Sequence, residues 1–184
     1  MKRRAFLHSA AGFLPAVAFP AFCPPQPAST PVSMEPHVVP SGEDRFGEFH
    51  SRGFSRILFK VMPGETGDGL FVVEHTRLVK GGPPFHLHLR QEEWFYVIEG
   101  EVLFQIGETR KKLAAGDSLL APRNIPHAFT LAGGKPGRML IAFTPAGKME
   151  QFFRDTAVQN PPAQDAAFFR RYEMELIGPS PFAA

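Results

Sequence analysis

The fold is decided by residues 86–100, which read His-Leu-His-Leu-Arg-Gln-Glu-Glu-Trp-Phe-Tyr-Val-Ile-Glu-Gly. His86 and His88 are two positions apart, and because side chains alternate across a strand, both imidazole rings point to the same side. Glu93 follows a bend at 89–91 and, on the next strand, can return to that side. The stretch therefore predicts two neighbouring strands that bring two imidazoles and a carboxylate onto one face.

A third imidazole comes from His127, which lies just past the turn Pro122-Arg123-Asn124, where a neighbouring strand could bring it alongside. Three neutral ring nitrogens and one carboxylate oxygen suit first-row transition metals. Such a ligand set leaves coordination positions for water, substrate or dioxygen. The expected cofactor is one divalent ion of Mn, Fe, Co, Ni, Cu or Zn, because all of these accept the same ligands.

The rest of the chain has the pattern of an all-β domain. Its 184 residues favour a single domain, and its 17 Gly and 19 Pro suit many short strands joined by turns. Short apolar runs are each closed by a turn signal, and apolar side chains alternate along several of them. Runs of this kind, at roughly ten-residue spacing, predict a β-sandwich or barrel. They cover residues 55–62, 69–80, 92–99, 101–106, 112–114, 118–121, 127–131 and 138–144.

Four segments are expected along the chain: a signal peptide at 1–22, a Pro-rich linker at 23–45, a barrel at 46–146 and a C-terminal helical extension at 147–184. The extension holds the two helix-like stretches, 147–156 and 163–176. Their expected core-facing anchors are Phe152-Phe153 and Phe168-Phe169.

The first segment has a basic start, an apolar middle and small residues, which together are typical of a secretory signal. The pair Arg3-Arg4, followed by Phe6 and Leu7, resembles the twin-arginine signal of bacteria, and Ala16-Val17-Ala18 is a plausible cleavage site. We therefore expect a periplasmic or secreted protein. The apolar stretch is too short for a stable membrane anchor and is broken by Pro15 and Pro20.

The charge pattern limits the binding partners to be expected, and the single cysteine limits the disulfides. Without the three basic residues of 1–22, the chain carries 17 basic and 18 acidic side chains and no basic stripe, which argues against nucleic-acid binding. Cys23 is the only cysteine, so no internal disulfide is expected. Of the other histidines, His37 is expected in the linker, His50 at the surface, and His75 in a structural or exposed position.

Two motifs resemble those of the cupin family. The run His86-x-His88-x-x-x-x-Glu93-x-x-x-x-x-x-Gly100 resembles the first, and Gly116-x-x-x-x-x-Pro122-x-Asn124-x-x-His127 resembles the second. In that family the matching residues bind a metal inside a double-stranded β-helix, or jelly-roll, barrel. The resemblance thus implies a cupin barrel with short C-terminal helices, in which the metal ligands are His86, His88, Glu93 and His127.

The match has three departures, none of which removes a ligand. Lys80 stands where a glycine usually precedes the first motif, Asn124 replaces a glycine and Leu131 replaces an asparagine. Asn tolerates the left-handed backbone that such a turn needs. Glu92 competes with Glu93 by position; we prefer Glu93 because it alone keeps the motif spacing and because the two neighbours face opposite ways.

The segments 81–86, 126–129 and 171–175 resemble small quercetin-dioxygenase-like cupins. This implies a one-domain, often dimeric protein with a buried apolar pocket. The leading hypothesis is a dioxygenase acting on an aromatic or enol small molecule. Glu93 would be its catalytic base, and the pocket would be lined by Phe95, Val97, Phe129 and Leu131.

The alternatives are a non-catalytic periplasmic metal- or ligand-binding cupin and a metal-dependent isomerase or decarboxylase. The isomerase ranks lower because these inward positions carry no Arg or Lys.

Overall fold

The computed structural model describes residues 35–48 and 50–182, all within the compact unit Pro31–Ala184. The predicted signal peptide, most of the predicted linker and Cys23 lie outside the described residues. Within them the chain forms eleven strands and two α-helices. The strands are β1 His50–Ser51, β2 Arg56–Val61, β3 Phe71–Leu78, β4 Phe85–His88, β5 Glu92–Glu99, β6 Glu101–Ile106, β7 Thr109–Ala114, β8 Ser118–Ala121, β9 His127–Leu131, β10 Gly137–Thr144 and β11 Met174–Gly178, and the helices are α1 Met149–Thr156 and α2 Ala166–Arg171.

The strands form two antiparallel sheets. One has six strands in the order β1-β2-β3-β10-β5-β8, and the other has five in the order β11-β4-β9-β6-β7. The chain crosses between the sheets several times, so strands that are close in sequence are often in different sheets. This is the all-β, double-stranded β-helix predicted from the sequence, and the expected fold class is confirmed. No helix in the described part of the chain is long and apolar enough to cross a membrane.

The core lies between the two sheets because alternate residues of facing strands point inward. In β5, burial alternates along the strand, so that Glu93, Phe95 and Val97 are buried while their neighbours are partly exposed. All five residues of β9 are buried. Several of the largest fully buried side chains are phenylalanines, and each buried phenylalanine contributes about 1.5–3 kcal/mol of hydrophobic stabilisation.

The turn before β9 fixes the approach of β9 to β4. Asn124 has φ +63°, the left-handed conformation expected for this position. Its backbone N–H donates to the carbonyl of His88 over 2.8 Å. In the β4–β9 pairing that follows, His86 is directly opposite His127. The turn therefore sets the two histidine-bearing strands side by side.

The C-terminal segment differs from the expectation of helices alone. The phenylalanine pairs of α1 and α2 are buried, as predicted. The helix expected over 163–176, however, ends at Arg171, and the last residues form β11, which pairs with β4 so that Met174 is opposite His88. Glu173, at φ +61°, ends the helical path, and the alternating burial of 174–178 then fits a strand.

The end of the predicted linker packs against the barrel. The buried Asp44 carboxylate accepts hydrogen bonds from the backbone N–H of Phe59, over 2.6 Å, and of Phe46, over 2.8 Å. Arg45 donates to the Glu65 carboxylate over 2.6 Å. The end of the predicted linker is therefore held against the barrel before β1 begins.

Gly82, between β3 and β4, offers a test of this packing. A Cβ built there would lie 1.8 Å from the Phe129 carbonyl oxygen. We expect Gly82→Ala to lower the free energy of unfolding by about 1–3 kcal/mol, since backbone must move to relieve the overlap. Urea unfolding measures this loss.

The matched control is Gly64→Ala, at an exposed position where the added Cβ meets no atom within 4 Å. Its stability should stay within about 0.5 kcal/mol of wild type. Equal free energies of unfolding for the two variants would contradict the close approach of the Gly82 backbone to the Phe129 carbonyl in β9.

Candidate metal centre

Four buried polar side chains meet between the two sheets. His86 and His88 come from β4, His127 from the adjacent β9, and Glu93 from β5 of the facing sheet. Each is 7% exposed or less, and their ligand atoms all lie within 4.8 Å of one another. Alternation puts both β4 histidines on the inner face, and the Glu93 position on β5 brings its carboxylate against them.

Backbone carbonyls set the orientation of two of the rings. His86 Nδ1 donates to the Pro84 carbonyl over 2.9 Å, and His127 Nδ1 donates to the Ile125 carbonyl over 3.0 Å. A carbonyl oxygen can only accept, so Nδ1 carries a proton in both rings, which leaves Nε2 as the nitrogen available to a metal. Contacts of this kind orient histidine ligands in metalloproteins.

The Glu93 carboxylate is at the centre of the cluster. Its Oε2 lies 2.7 Å from His127 Nε2 and 3.1 Å from His88 Nε2. Burial raises the pKa of Glu93, but the adjacent His127 and His88 imidazoles outweigh it and hold that pKa well below its usual range. Glu93 is therefore ionised, as a metal ligand must be.

His86 is favoured in its neutral, ligand-competent form. Burial lowers the pKa of His86 well below its usual value, and the nearby His127 and His88 rings lower it further, against the opposing charge of Glu93 and the hydrogen bond to Pro84. Among the described residues, neither ring nitrogen of His88 has a well-aligned hydrogen-bond partner. Three imidazoles held next to a carboxylate form a donor set for a transition metal.

The spacing also fits a single ion. With metal–ligand bonds of about 2.1 Å, two ligands of one ion are at most about 4.2 Å apart. The observed spread of 4.8 Å needs only a small inward rotation of side chains. The cluster borders a chamber of about 20 Å³, enough for one water-sized species. These residues therefore fit a divalent transition metal ion.

Glu92 has a different environment from Glu93. Its side chain is partly exposed, and its Oε2 accepts from Arg123 Nη2 over 2.6 Å. The hydrogen bonds and charge of Arg123 lower the pKa of Glu92. The alternation of β5 thus separates the two glutamates, as the sequence analysis expects.

The four expected pocket residues are not all at the chamber. Phe129 lines it, while Phe95, Val97 and Leu131 are in the barrel core. Phe95 still contacts the cluster, with its ring centroid 6.1 Å from that of His127. In the described part of the chain, six phenylalanines line the chamber, drawn from both sheets, both helices and the segment before β2: Phe54, Phe129, Phe143, Phe152, Phe153 and Phe169.

Arg52, which the sequence analysis misses, also lines the chamber. It is half-buried just after β1 and belongs to no motif. Burial lowers the pKa of its guanidinium to about 10, against the opposing effect of the Glu93 carboxylate, so it stays charged at neutral pH. No local pattern could have identified Arg52, because its neighbours at the chamber come from distant parts of the chain.

Two further histidines, His75 and His50, pack against other side chains and are not part of the four-residue cluster. His75 lines the chamber, is 1% exposed and shares a 2.9 Å hydrogen bond between its Nδ1 and Ser55 Oγ. His50, expected at the surface, is instead half-buried, with its ring stacked on Phe59 at 4.8 Å between centroids. The short β1 strand pairs with β2 and draws His50 onto the core.

Comparison with known families agrees with this architecture. Residues 74–143, which span β3 to β10, match the family model described as a cupin domain. No curated protein matches the chain significantly. The family match and the fold together support placement in the cupin superfamily.

Several solved structures are similar in fold. KdgF from a Halomonas species is 17% identical, with a TM-score of 0.47, and the match covers 53% of this chain and 86% of that one. An RmlC-like cupin from Shewanella frigidimarina is 23% identical (TM-score 0.49; 56% and 87% covered). A predicted oxalate decarboxylase from Thermotoga maritima is 16% identical (TM-score 0.49; 53% and 90% covered). At these identities the similarity concerns the fold alone.

His75 makes the pH dependence of stability testable. Burial, together with the charge of Arg52, lowers its pKa to about 3, against the opposing effect of Glu93. The unfolded chain protonates this ring near pH 6.5, so unfolding takes up a proton between about pH 6.5 and 3. The free energy of unfolding should therefore fall as pH falls through this window, by up to about 1.4 kcal/mol per pH unit from this ring.

Urea unfolding of chelator-treated wild type and His75→Gln measures this contribution. The wild-type curve should be steeper than the variant curve below pH 6.5, and the two should run parallel above pH 7.5, where neither state of His75 changes protonation. Parallel curves throughout would show that His75 is accessible to protons in the folded state.

Proposed function

On the premise that residues 74–143 form a cupin domain around the His/Glu cluster, we propose that this chain is a metal-dependent dioxygenase of the quercetin-dioxygenase-like type. Its substrate would be a small aromatic or enol molecule. One observation carries the proposal: a donor set suited to a transition metal borders a chamber lined by six phenylalanines.

The wall of the chamber favours a flat, unsaturated substrate. Aromatic side chains bind rings through edge and stacking contacts, and a mostly apolar wall gains little from a sugar. Phe169 is 5.6 Å from the His86 ring, and Phe143 is 5.6 Å from the His88 ring, centroid to centroid. A ring held by these residues would thus have its edge at the metal ligands.

The chamber must open before such a substrate binds. Its volume of about 20 Å³ admits a water-sized species but no ring. A larger cleft of about 990 Å³ lies on the other side of its wall, and Arg52, Phe54, Pro83 and Pro84 line both spaces. We infer that substrate enters from this cleft.

In this proposal the four cluster residues would hold one divalent ion. The ion would supply Lewis-acid activation of a substrate oxygen and an electron path to dioxygen. The Glu93 carboxylate would take the proton from the substrate hydroxyl, as a general base. His86 and His127, fixed by their bonds to backbone carbonyls, would keep their Nε2 atoms aimed at the centre. The phenylalanines would exclude water and so strengthen electrostatic interactions in the chamber.

Arg52 supports a second candidate, a metal-dependent decarboxylase or isomerase acting on an acid. From the sequence alone the isomerase ranks lower, because the expected pocket positions carry no Arg or Lys. Arg52 supplies such a cation at the chamber wall. A non-catalytic binding cupin is the remaining alternative. Oxygen uptake is expected from the oxygenase alone.

The proposal also includes export and pairing. The twin-arginine-like start of the chain supports a periplasmic or secreted location, and the resemblance of 81–86, 126–129 and 171–175 to quercetin-dioxygenase-like cupins supports a homodimer. Both parts rest on the sequence.

The test of the catalytic role is Glu93→Gln. Gln keeps an oxygen donor but cannot take a proton, so metal content should be largely retained while oxygen uptake with a flavonol or a catechol falls at least about 100-fold. An oxygen electrode and elemental analysis of the same samples measure both quantities.

The matched control is Glu92→Gln, one residue away on the opposite face of β5. Its oxygen uptake should stay near that of wild type, because Glu92 pairs with Arg123 outside the chamber. Unchanged turnover in Glu93→Gln would exclude the proposed base. Wild-type protein that holds metal but consumes no oxygen with any substrate of this class would argue against the oxygenase.

A further inference from the structure

The wall between the outer cleft and the chamber has two kinds of side chain. Pro83 and Pro84 are rigid, because the pyrrolidine ring fixes the backbone, whereas Arg52 and Phe54 can change rotamer. A molecule that moves from the cleft to the His/Glu cluster must therefore pass the two rotatable side chains. Among the described residues that line either space, Arg52 is the only Arg or Lys.

The guanidinium of Arg52 has few protein partners. It stacks on two α1 rings, with Cζ 4.8 Å from the Phe152 centroid and 5.3 Å from the Phe153 centroid. Its one side-chain hydrogen bond runs from Nη2 to Gln164 Oε1, at 3.3 Å. No carboxylate in the described part of the chain forms an ion pair with it, although a guanidinium has five N–H donors. Arg52 is thus a half-buried cation with unused donors facing the route to the cluster.

We propose that Arg52 is the residue that binds a carboxylate of the substrate, so that the substrate is an unsaturated carboxylic acid, aromatic or enolic. This inference rests on the proposed function and narrows its substrate class. The planar guanidinium matches a carboxylate with two parallel hydrogen bonds, and the stacked Phe152 and Phe153 rings hold its plane.

The charges around Arg52 favour a carboxylate over a phosphate. A phosphate dianion would leave one negative charge unbalanced, because Arg52 is the one Arg or Lys among the described residues that line the chamber and the cleft. His75, which also lines the chamber, is neutral because burial and the charge of Arg52 lower its pKa to about 3. A carboxylate monoanion balances the single positive charge of Arg52. The unsaturated part of the same substrate would then contact the phenylalanines of the chamber.

Binding of a matched probe pair tests the proposal apart from turnover. The probes are cinnamate and its neutral isostere cinnamamide, titrated calorimetrically into the full chain loaded with Zn²⁺, which has no redox chemistry. Wild type should bind cinnamate at least about tenfold more tightly than cinnamamide, the gain expected of a charged hydrogen-bonded pair. Arg52→Met should lose this preference and keep cinnamamide binding, and Arg52→Lys should recover part of it.

The matched control is Arg171→Met. Arg171 is exposed and also stacks on a phenylalanine, with Cζ 4.7 Å from the Phe168 centroid, but it lines neither space. The affinities of Arg171→Met for cinnamate and for cinnamamide should equal those of wild type. Equal affinity of wild type for the two probes, no binding of either, or a preference that survives in Arg52→Met would overturn the proposal. Because no oxygen is consumed, failure of the oxygenase proposal would leave this result unchanged.

Discussion

The buried carboxylate of Glu93 is the constraint on which the rest of the structure depends. An ionised carboxylate inside an apolar barrel costs several kcal/mol unless charged or polar partners surround it. His127 and His88, at 2.7 and 3.1 Å from its Oε2, are those partners, and they can be so only if β4 and β9 lie side by side and face β5. The left-handed turn at Asn124 secures the first condition, and the crossing of the chain between the sheets secures the second.

The same arrangement gives the chamber two unlike ends. One end holds the polar cluster, and the other is closed by aromatic residues from α1 and α2, whose sequence lies far from the histidine motifs. The C-terminal strand β11 pairs with β4 at the edge of the same sheet, with Met174 opposite His88. Arg52 adds a positive charge at the wall that faces the outer cleft. A substrate suited to this chamber is therefore apolar and flat in the middle, with oxygen at the metal end.

The sequence predicts the cluster well because alternation along a strand determines the face on which a side chain lies. It predicts the pocket residues less well, because the face of a strand on which a side chain lies does not determine how far along the barrel axis that side chain is from the metal ligands. A strand advances about 3.3 Å per residue, so Val97 is about 13 Å along β5 from Glu93, in the core beyond the chamber. Arg52 and the strand 174–178 escape sequence reasoning for a related reason: their roles come from pairing and packing with distant segments. The fold class, the main strands and the facing of Glu93 rather than Glu92 all follow from local pattern.

The central claim is that Glu93 and its three histidines hold a metal ion. Elemental analysis of the protein, purified without chelator, tests it most directly, with His86→Ala as the variant and His37→Ala, whose imidazole pairs with Glu65 away from the cluster, as the histidine control. The account predicts about one equivalent of a transition metal in wild type and in the control, and its loss in His86→Ala. Wild type that contains no metal, even after reloading, would contradict the account.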